Sequence, residues 1–189
     1  MGEKWSDLRY VAVDVEGNGQ RPPDLVEVAV VPIDEGTIGP ATSWLVHPPR
    51  PITPMARRFH RISDSDVATA PTIAQLAEQI RGFLDGAVFS AHNAPIDLGV
   101  LTRELPGFEP THVVDTLKLA RQALPGRQSY KLGDLAEDFG LAEGLPDGLA
   151  PHRATWDALV CARLLVRLAE HIDTESFEPQ ADSEPEVLF

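Results

Sequence analysis

The sequence predicts an α/β fold in one domain, with a sheet that changes its pairing direction partway along the chain. Three apolar runs of strand character follow one another before residue 48, separated only by turns. From residue 72 onward, short apolar runs alternate instead with helical repeats. Strands joined by short loops pair antiparallel, whereas strands separated by helices pair in parallel. At 189 residues the chain suffices for one sizeable core and argues against two independent domains.

Residues 8–16 read as a buried strand ended by Gly17, and residues 26–33 and 42–47 as the next two, linked by a turn containing Asp34, Gly36 and Gly39. A short helix is expected over 53–59. A longer one follows from Thr72, where Ala74, Leu76, Ala77, Ile80, Phe83 and Leu84 recur at helical spacing. Residues 87–91 and 112–115 read as strands, and 95–105 as a helix with Pro95 in its first turn. Residues 116–124 read as a further helix. Ser129 is the expected N-cap of a helix that runs from Tyr130 or Lys131 to Phe139 and is closed by Gly140. The last helix is expected over 154–172, with Asp157, Cys161, Leu164 and Leu168 on one stripe facing the sheet. The domain is therefore placed at 1–172, and 173–189, rich in acids and poor in apolar residues, reads as a disordered tail.

The net charge of −13 argues at first sight against a nucleic-acid partner. Its placement weakens that argument. Six of the acids (Asp173, Glu175, Glu178, Asp182, Glu184, Glu186) fall in the tail without any Lys or Arg, and others are candidate metal ligands that bound cations would neutralise. Weak non-specific binding to long duplexes is expected. The N-terminus lacks a signal-peptide core and every apolar run is broken by charge, so a soluble, cytoplasmic protein with no membrane partner is expected. The single cysteine, Cys161, lies on a helical apolar stripe and reads as an inert core thiol.

Four carboxylates and a histidine carry the chemistry. On a strand, side chains two apart share a face, so Asp14 and Glu16 project together at the strand's carboxyl end, where open α/β sheets form crevices. Taken alone, this pair reads equally well as a strand running into a polar turn. Asp97 taken alone reads as an acid favoured by the dipole of a helix capped by Asn93. Asp157 heads a core-facing stripe and needs a partner, which a cation at the sheet edge would supply. His152 and Asp157 would lie about 140° apart on a continuous helix, so His152, after Gly148 and Pro151, is placed on a loop before it. His92 reads as a loop-ordering residue that hydrogen bonds rather than ligates. The clusters Arg57, Arg58, His60 and Arg61, and Arg121, Arg127 and Lys131, are candidates for backbone phosphate contact, with solvated surface charge an equal alternative.

The fragments Asp14-Val15-Glu16-Gly17, His92-Asn93-Ala94-Pro95-Ile96-Asp97 and His152-Arg153-Ala154-Thr155-Trp156-Asp157 closely resemble, in this order, the three motifs of the DEDDh family of 3′-to-5′ exonucleases. That family includes the proofreading subunits of bacterial replicative polymerases. The segments around Asp115 and Ser129–Leu135 resemble its connecting regions. The resemblance implies a ribonuclease-H-like fold with a mixed five-stranded sheet flanked by helices, and release of nucleoside monophosphates from single-stranded or frayed DNA or RNA ends. It also implies two Mg²⁺ or Mn²⁺ ions, which oxygen-only ligands suit. Asp14 would bridge both ions, Glu16 and Asp157 would complete one site, Asp97 would support the other, and His152 would be the general base. An ordinary imidazole pKa of about 6.5 suits that role.

Gly17 and Asn93 within the motifs, with Arg61 and Lys131, are the candidates for substrate contact. The chain departs from the family at His60-Arg61-Ile62-Ser63, where many members read His-Gly-Ile-Thr, and at Ile96, where an aromatic is common. An oligoribonuclease-like RNA trimmer and a catalytically idle accessory module of a polymerase are the alternatives. A Leu188-Phe189 ending faintly resembles sliding-clamp-binding peptides but lacks their leading Gln.

Overall fold

The computed structural model describes residues 4–169. Its sheet is mixed, as the two halves of the sequence predict, and contains six strands where five were expected. At its centre lies β1 (Tyr10–Gly17), antiparallel to β2 (Leu25–Asp34) on one side and parallel to β5 (Val88–Ala91) on the other. The sheet continues from β5 to the parallel β6 (Val113–Asp115). The expected third strand is β4 (Thr42–Leu45); the extra one, β3 (Thr37–Ile38), forms inside the segment expected to be only a turn, and both pair with β2. Gly39 N–H still bonds the Pro32 carbonyl at 2.8 Å in the register of β3; beyond it Pro40 has no N–H to give a ladder, and β4 resumes one residue out of step.

Thr53 caps α1 (Pro54–His60) by accepting the Ala56 N–H at 3.2 Å. A helix not read from the sequence follows, α2 (Asp64–Val67), opened by the Ser63/Asp66 capping box. The box of Thr72 and Gln75 starts α3 (Ile73–Leu84), whose buried stripe is Leu76, Ile80 and Leu84. Each such side chain stabilises the fold by roughly 1.5–3 kcal/mol. Next come α4 (Ala94–Glu104) and α5 (Thr116–Ala123), the latter capped by the Asp115 carboxylate.

Ser129 does not cap α6 (Leu132–Phe139); Lys131 occupies the N-cap position. The reason is a competing bond, since Ser129 Oγ donates to Asp134 Oδ2 at 2.5 Å, leaving the helix to start two residues later than a Ser129 cap would place it. The last helix, α7, spans Ala154–Ala169. Residues 170–172, the acidic tail and the Leu188-Phe189 ending lie outside the described residues.

Two apolar layers sandwich the sheet. On one face α5, α6 and α7 pack on Tyr10, Ala12, Ala29, Val31 and Ile33, and on the other α3 and α4 pack on Val11, Val13, Val28, Val30 and Phe89. No helix among the described residues is long and apolar enough to cross a membrane.

Candidate active site

Alternation along β1 puts Asp14 and Glu16 on the face that Tyr10 and Ala12 turn toward α7. There they meet Asp157, in the first turn of α7. Ligand oxygens of Asp14, Glu16 and Asp157 all lie within 4.8 Å of one another. Asp97 reaches in from α4, is 6% exposed, and accepts the Val15 N–H on Oδ1 at 3.0 Å. It is therefore tied to the middle residue of the Asp14-Val15-Glu16 fragment and stands outside the tight group of three. That bond to β1 gives Asp97 a role that the dipole of α4 alone does not explain.

Four acids at one sheet edge repel one another. Burial, then the charges of Asp97, Asp157, Glu16 and Glu27, holds the Asp14 carboxyl well above the usual carboxylate range. Burial, followed by Asp157, Glu27 and Asp97, pushes Glu16 up to about 9. Burial likewise raises Asp97 and Asp157 to about 7, opposed by the Val15 N–H in the first case and the His152 backbone in the second. Asp14 as a whole is half-buried, yet its Oδ2 is sealed from solvent and has no hydrogen-bond partner. An orphaned buried carboxylate oxygen beside two further carboxylates is a donor set with nothing to donate to, and a divalent cation is the ligand that satisfies it.

His152 lies on the loop before α7, exposed and at φ 63°, with its ring edge-on to Phe59 at 5.9 Å between centroids. The loop after β1 is built around buried Asn18. Its side chain donates to Asp24 Oδ2 at 2.6 Å and accepts from the backbone of Gln20 and Asp24. A bridge to Arg50, the largest influence on Asp24, keeps that carboxyl below its ordinary pKa. Gly17 sits at a register irregularity that ends β1, and Gly19 must be glycine, because a Cβ there would lie 2.2 Å from Thr53 Oγ1 at φ 76°.

His92 orders its loop through both ring nitrogens, bonded to Thr116 Oγ1 at 2.9 Å and to the Tyr130 carbonyl at 2.8 Å. Asn93 is buried in the left-handed region at φ 74°, where its N–H donates to Asp115 Oδ1 at 3.1 Å. Cys161 is buried against Thr116, and burial pushes its thiol up to about 12, which excludes a nucleophilic role near neutral pH.

The basic candidates separate. Arg57, Arg58 and Arg61 are exposed on and just beyond α1, and none is in a salt bridge among the described residues. His60 is not part of that surface: it is 2% exposed, accepts the Ile62 N–H at 3.0 Å, and has a pKa lowered by burial against an opposing influence of the Gly17 backbone. Lys131 is exposed at the N-cap of α6, while Arg127 is engaged by Asp138 and the Phe139 ring. The exposed large apolar side chains among the described residues are Met55, Phe59 and Ile96; two are on α1 and the third immediately precedes Asp97.

Sequence reasoning missed Glu27. It is 3% exposed on β2, directly across the ladder from Glu16. Its carboxylate takes Arg153 Nη2 at 2.7 Å, Arg153 Nε at 3.0 Å and the Ala154 N–H at 3.0 Å. The available signal was a lone charge inside the apolar run 25–31, which as a buried group had to have a partner.

Comparison with known proteins gives a consistent answer. The exonuclease family of RNase T type matches residues 11–165. The DNA polymerase III subunit epsilon of Treponema pallidum is 32% identical over 172 residues, covering 87% of this chain and 78% of that protein. Exodeoxyribonuclease 10 of Escherichia coli is 37% identical over 142 residues, with 75% of this chain and 60% of that protein covered. The 3′-5′ exonuclease DinG of Bacillus subtilis is 33% identical over 171 residues, although the match spans only 18% of its length. Among solved structures, exonuclease X in complex with 5′ overhanging duplex DNA superposes with a TM-score of 0.74 at 33% identity, over 90% of this chain and 96% of that one. The nuclease domain of 3′hExo, at 15% identity and a TM-score of 0.72, shares the fold. With its mixed sheet, its flanking helices and its acidic cluster at the carboxyl end of the central strand, the chain belongs to the DEDD-type exonuclease family.

Proposed function

We propose that this chain is a divalent-metal-dependent 3′-to-5′ exonuclease that releases nucleoside monophosphates from single-stranded or frayed ends, with DNA favoured. The observation that carries the reading is the convergence of Asp14, Glu16 and Asp157 around the sealed, unpartnered Asp14 Oδ2. Relatives named exodeoxyribonuclease 10 and exonuclease X support DNA, and those named as polymerase III polypeptides point toward a 3′ end presented by a polymerase. Asp14, Glu16 and Asp157 would hold one Mg²⁺ or Mn²⁺, with Asp14 shared and Asp97 supporting a second. When bound, such ions neutralise developing charge on the phosphoryl oxygens and the departing 3′-oxygen. His152, exposed at the rim, takes the proton of the attacking water. As the water oxygen bonds to phosphorus, the P–O3′ bond breaks and solvent protonates the shortened strand's 3′-oxygen.

Matched 5′-labelled DNA and RNA oligomers, digested with Mg²⁺, are expected to give a ladder shortening by single nucleotides from the 3′ end, faster for DNA, and no ladder with Asp14→Ala. A ladder unchanged in that variant would sink the assignment.

The surface of α1 gives the strand a route to the site. Phe59 and Met55 offer apolar faces for stacking, and Arg57, Arg58 and Arg61 offer free guanidinium groups beside them. Arg61 holds a left-handed conformation, φ 62°, that glycine adopts without penalty. Arg61→Gly is therefore expected to raise stability by up to about 1 kcal/mol. The same change should weaken oligonucleotide binding and flatten the slope of log KM against log salt by roughly 0.7. An unchanged salt slope would remove Arg61 from the strand path.

A further inference from the structure

Resting on the reading of His152 as the base, we infer that Glu27 and Arg153 form a clamp that positions His152 for proton removal. The geometry is a three-donor grip on one carboxylate: Arg153 presents Nε and Nη2 side by side, and the Ala154 N–H shares Oε2. Helix α7 begins at Ala154, so a residue from β2, distant by 127 positions in sequence, does the work that a Ser or Asp N-cap does elsewhere. Arg153 carries no such capping oxygen itself.

The clamp lies between two functional positions. On one side the Arg153 carbonyl accepts the Asp157 N–H at 3.1 Å, fixing the first turn of α7. On the other, the next residue back is His152, at φ 63°, a conformation an imidazole residue keeps only when its surroundings impose it. Phe59 meets the ring from α1, and the clamp fixes the backbone from β2. Glu27 also interrupts the stripe that Ala29, Val31 and Ile33 continue into the α7 core. An apolar residue there would avoid the cost of burying a carboxylate but could not hold the entry to α7 by three hydrogen bonds, so what the charge supplies is geometry. The Arg153 side chain is 38% exposed, placing the outer half of the clamp at the rim beside His152.

The test compares Arg153→Ala in two backgrounds, the native enzyme and His152→Ala, using full-length protein, Mg²⁺ and a 5′-labelled single-stranded oligomer. In the native background kcat should fall about 10- to 100-fold with KM within about threefold, as a misplaced base predicts. In the His152→Ala background the second change should alter kcat by less than about twofold, because the residue being positioned is already gone. Mn²⁺ affinity of the free protein, read by calorimetry, should stay within about threefold, since Asp14, Glu16 and Asp157 are unchanged.

Equal fractional losses in both backgrounds, unchanged kcat in the native one, or loss of Mn²⁺ binding would overturn the clamp while leaving the nuclease reading intact. Full turnover in His152→Ala alone would take down the base assignment and the clamp with it. Should Arg153→Ala fail to fold, Arg153→Lys keeps the charge but not the paired donors, and the same comparison decides.

Discussion

Asp14→Asn is expected to reduce mononucleotide release by a factor of about a thousand or more while making the cation-free protein harder to unfold. The two effects share a cause. Burial and its acidic neighbours oppose the ionised form of Asp14, and its Oδ2 has nothing to bond. An amide enters this site without taking up a proton, so the cation-free fold gains on the order of 1 kcal/mol, or about 2–4 °C in Tm for a chain of this size. An amide holds a divalent cation far less well than a carboxylate. The transition-state stabilisation forfeited, several kcal/mol, corresponds to three or more decades in rate. Product release from a labelled oligomer and a thermal melt in chelator measure the two sides. Turnover within tenfold of the native enzyme, or a lower Tm, would contradict the assignment.

The second large effect is on stability as a function of pH. Carboxyls that sit near pH 4 in the unfolded chain are held at about 7 for Asp97 and Asp157 and about 9 for Glu16 in the fold. Over pH 4 to 9 the folded state thus binds more protons than the unfolded one, and unfolding free energy falls as pH rises. In chelator, Tm should decline steadily from pH 5 to pH 9, costing on the order of a few kcal/mol across the cluster. Added Mg²⁺ or Mn²⁺ should oppose the decline, because it binds the ionised, folded site, and its stabilising effect should be larger at pH 8 than at pH 6. A Tm that rises with pH in chelator, or a cation effect that is the same at both values, would show that these carboxylates do not share a cation site.

Much of the fold and of the acidic cluster could be read from local chemistry. The period of two in residues 8–16 placed Asp14 and Glu16 on one face, and the helical stripe through Cys161, Leu164 and Leu168 aimed Asp157 at the same sheet. Pro151 and Gly148 signalled that His152 lies before the helix. Features that depend on pairing at a distance were not legible. Glu27 acquires its importance only when β2 brings it across from Glu16 and against the start of α7, contacts that no local pattern encodes. His60 looked like one more cation beside three arginines, and only folding shows that its side of α1 turns inward. The register step at Pro40 depends on where β2 offers its next partner, and the Ser129–Asp134 bond on which of two competing hydrogen bonds prevails; propensity alone decides neither.

The position of β1 between an antiparallel and a parallel neighbour limits how this chain can vary in length. Deleting one residue before Asp14 would rotate every later side chain of β1 through the sheet, sending both acids into the layer of Leu76, Ile80 and Phe89 and exposing Val15 to the crevice. At residues 39–41, where the outer ladder is already interrupted, an added residue enlarges a loop and leaves the paired registers as they are. Insertions and deletions are therefore far better accommodated at the rim of the sheet than along its axis.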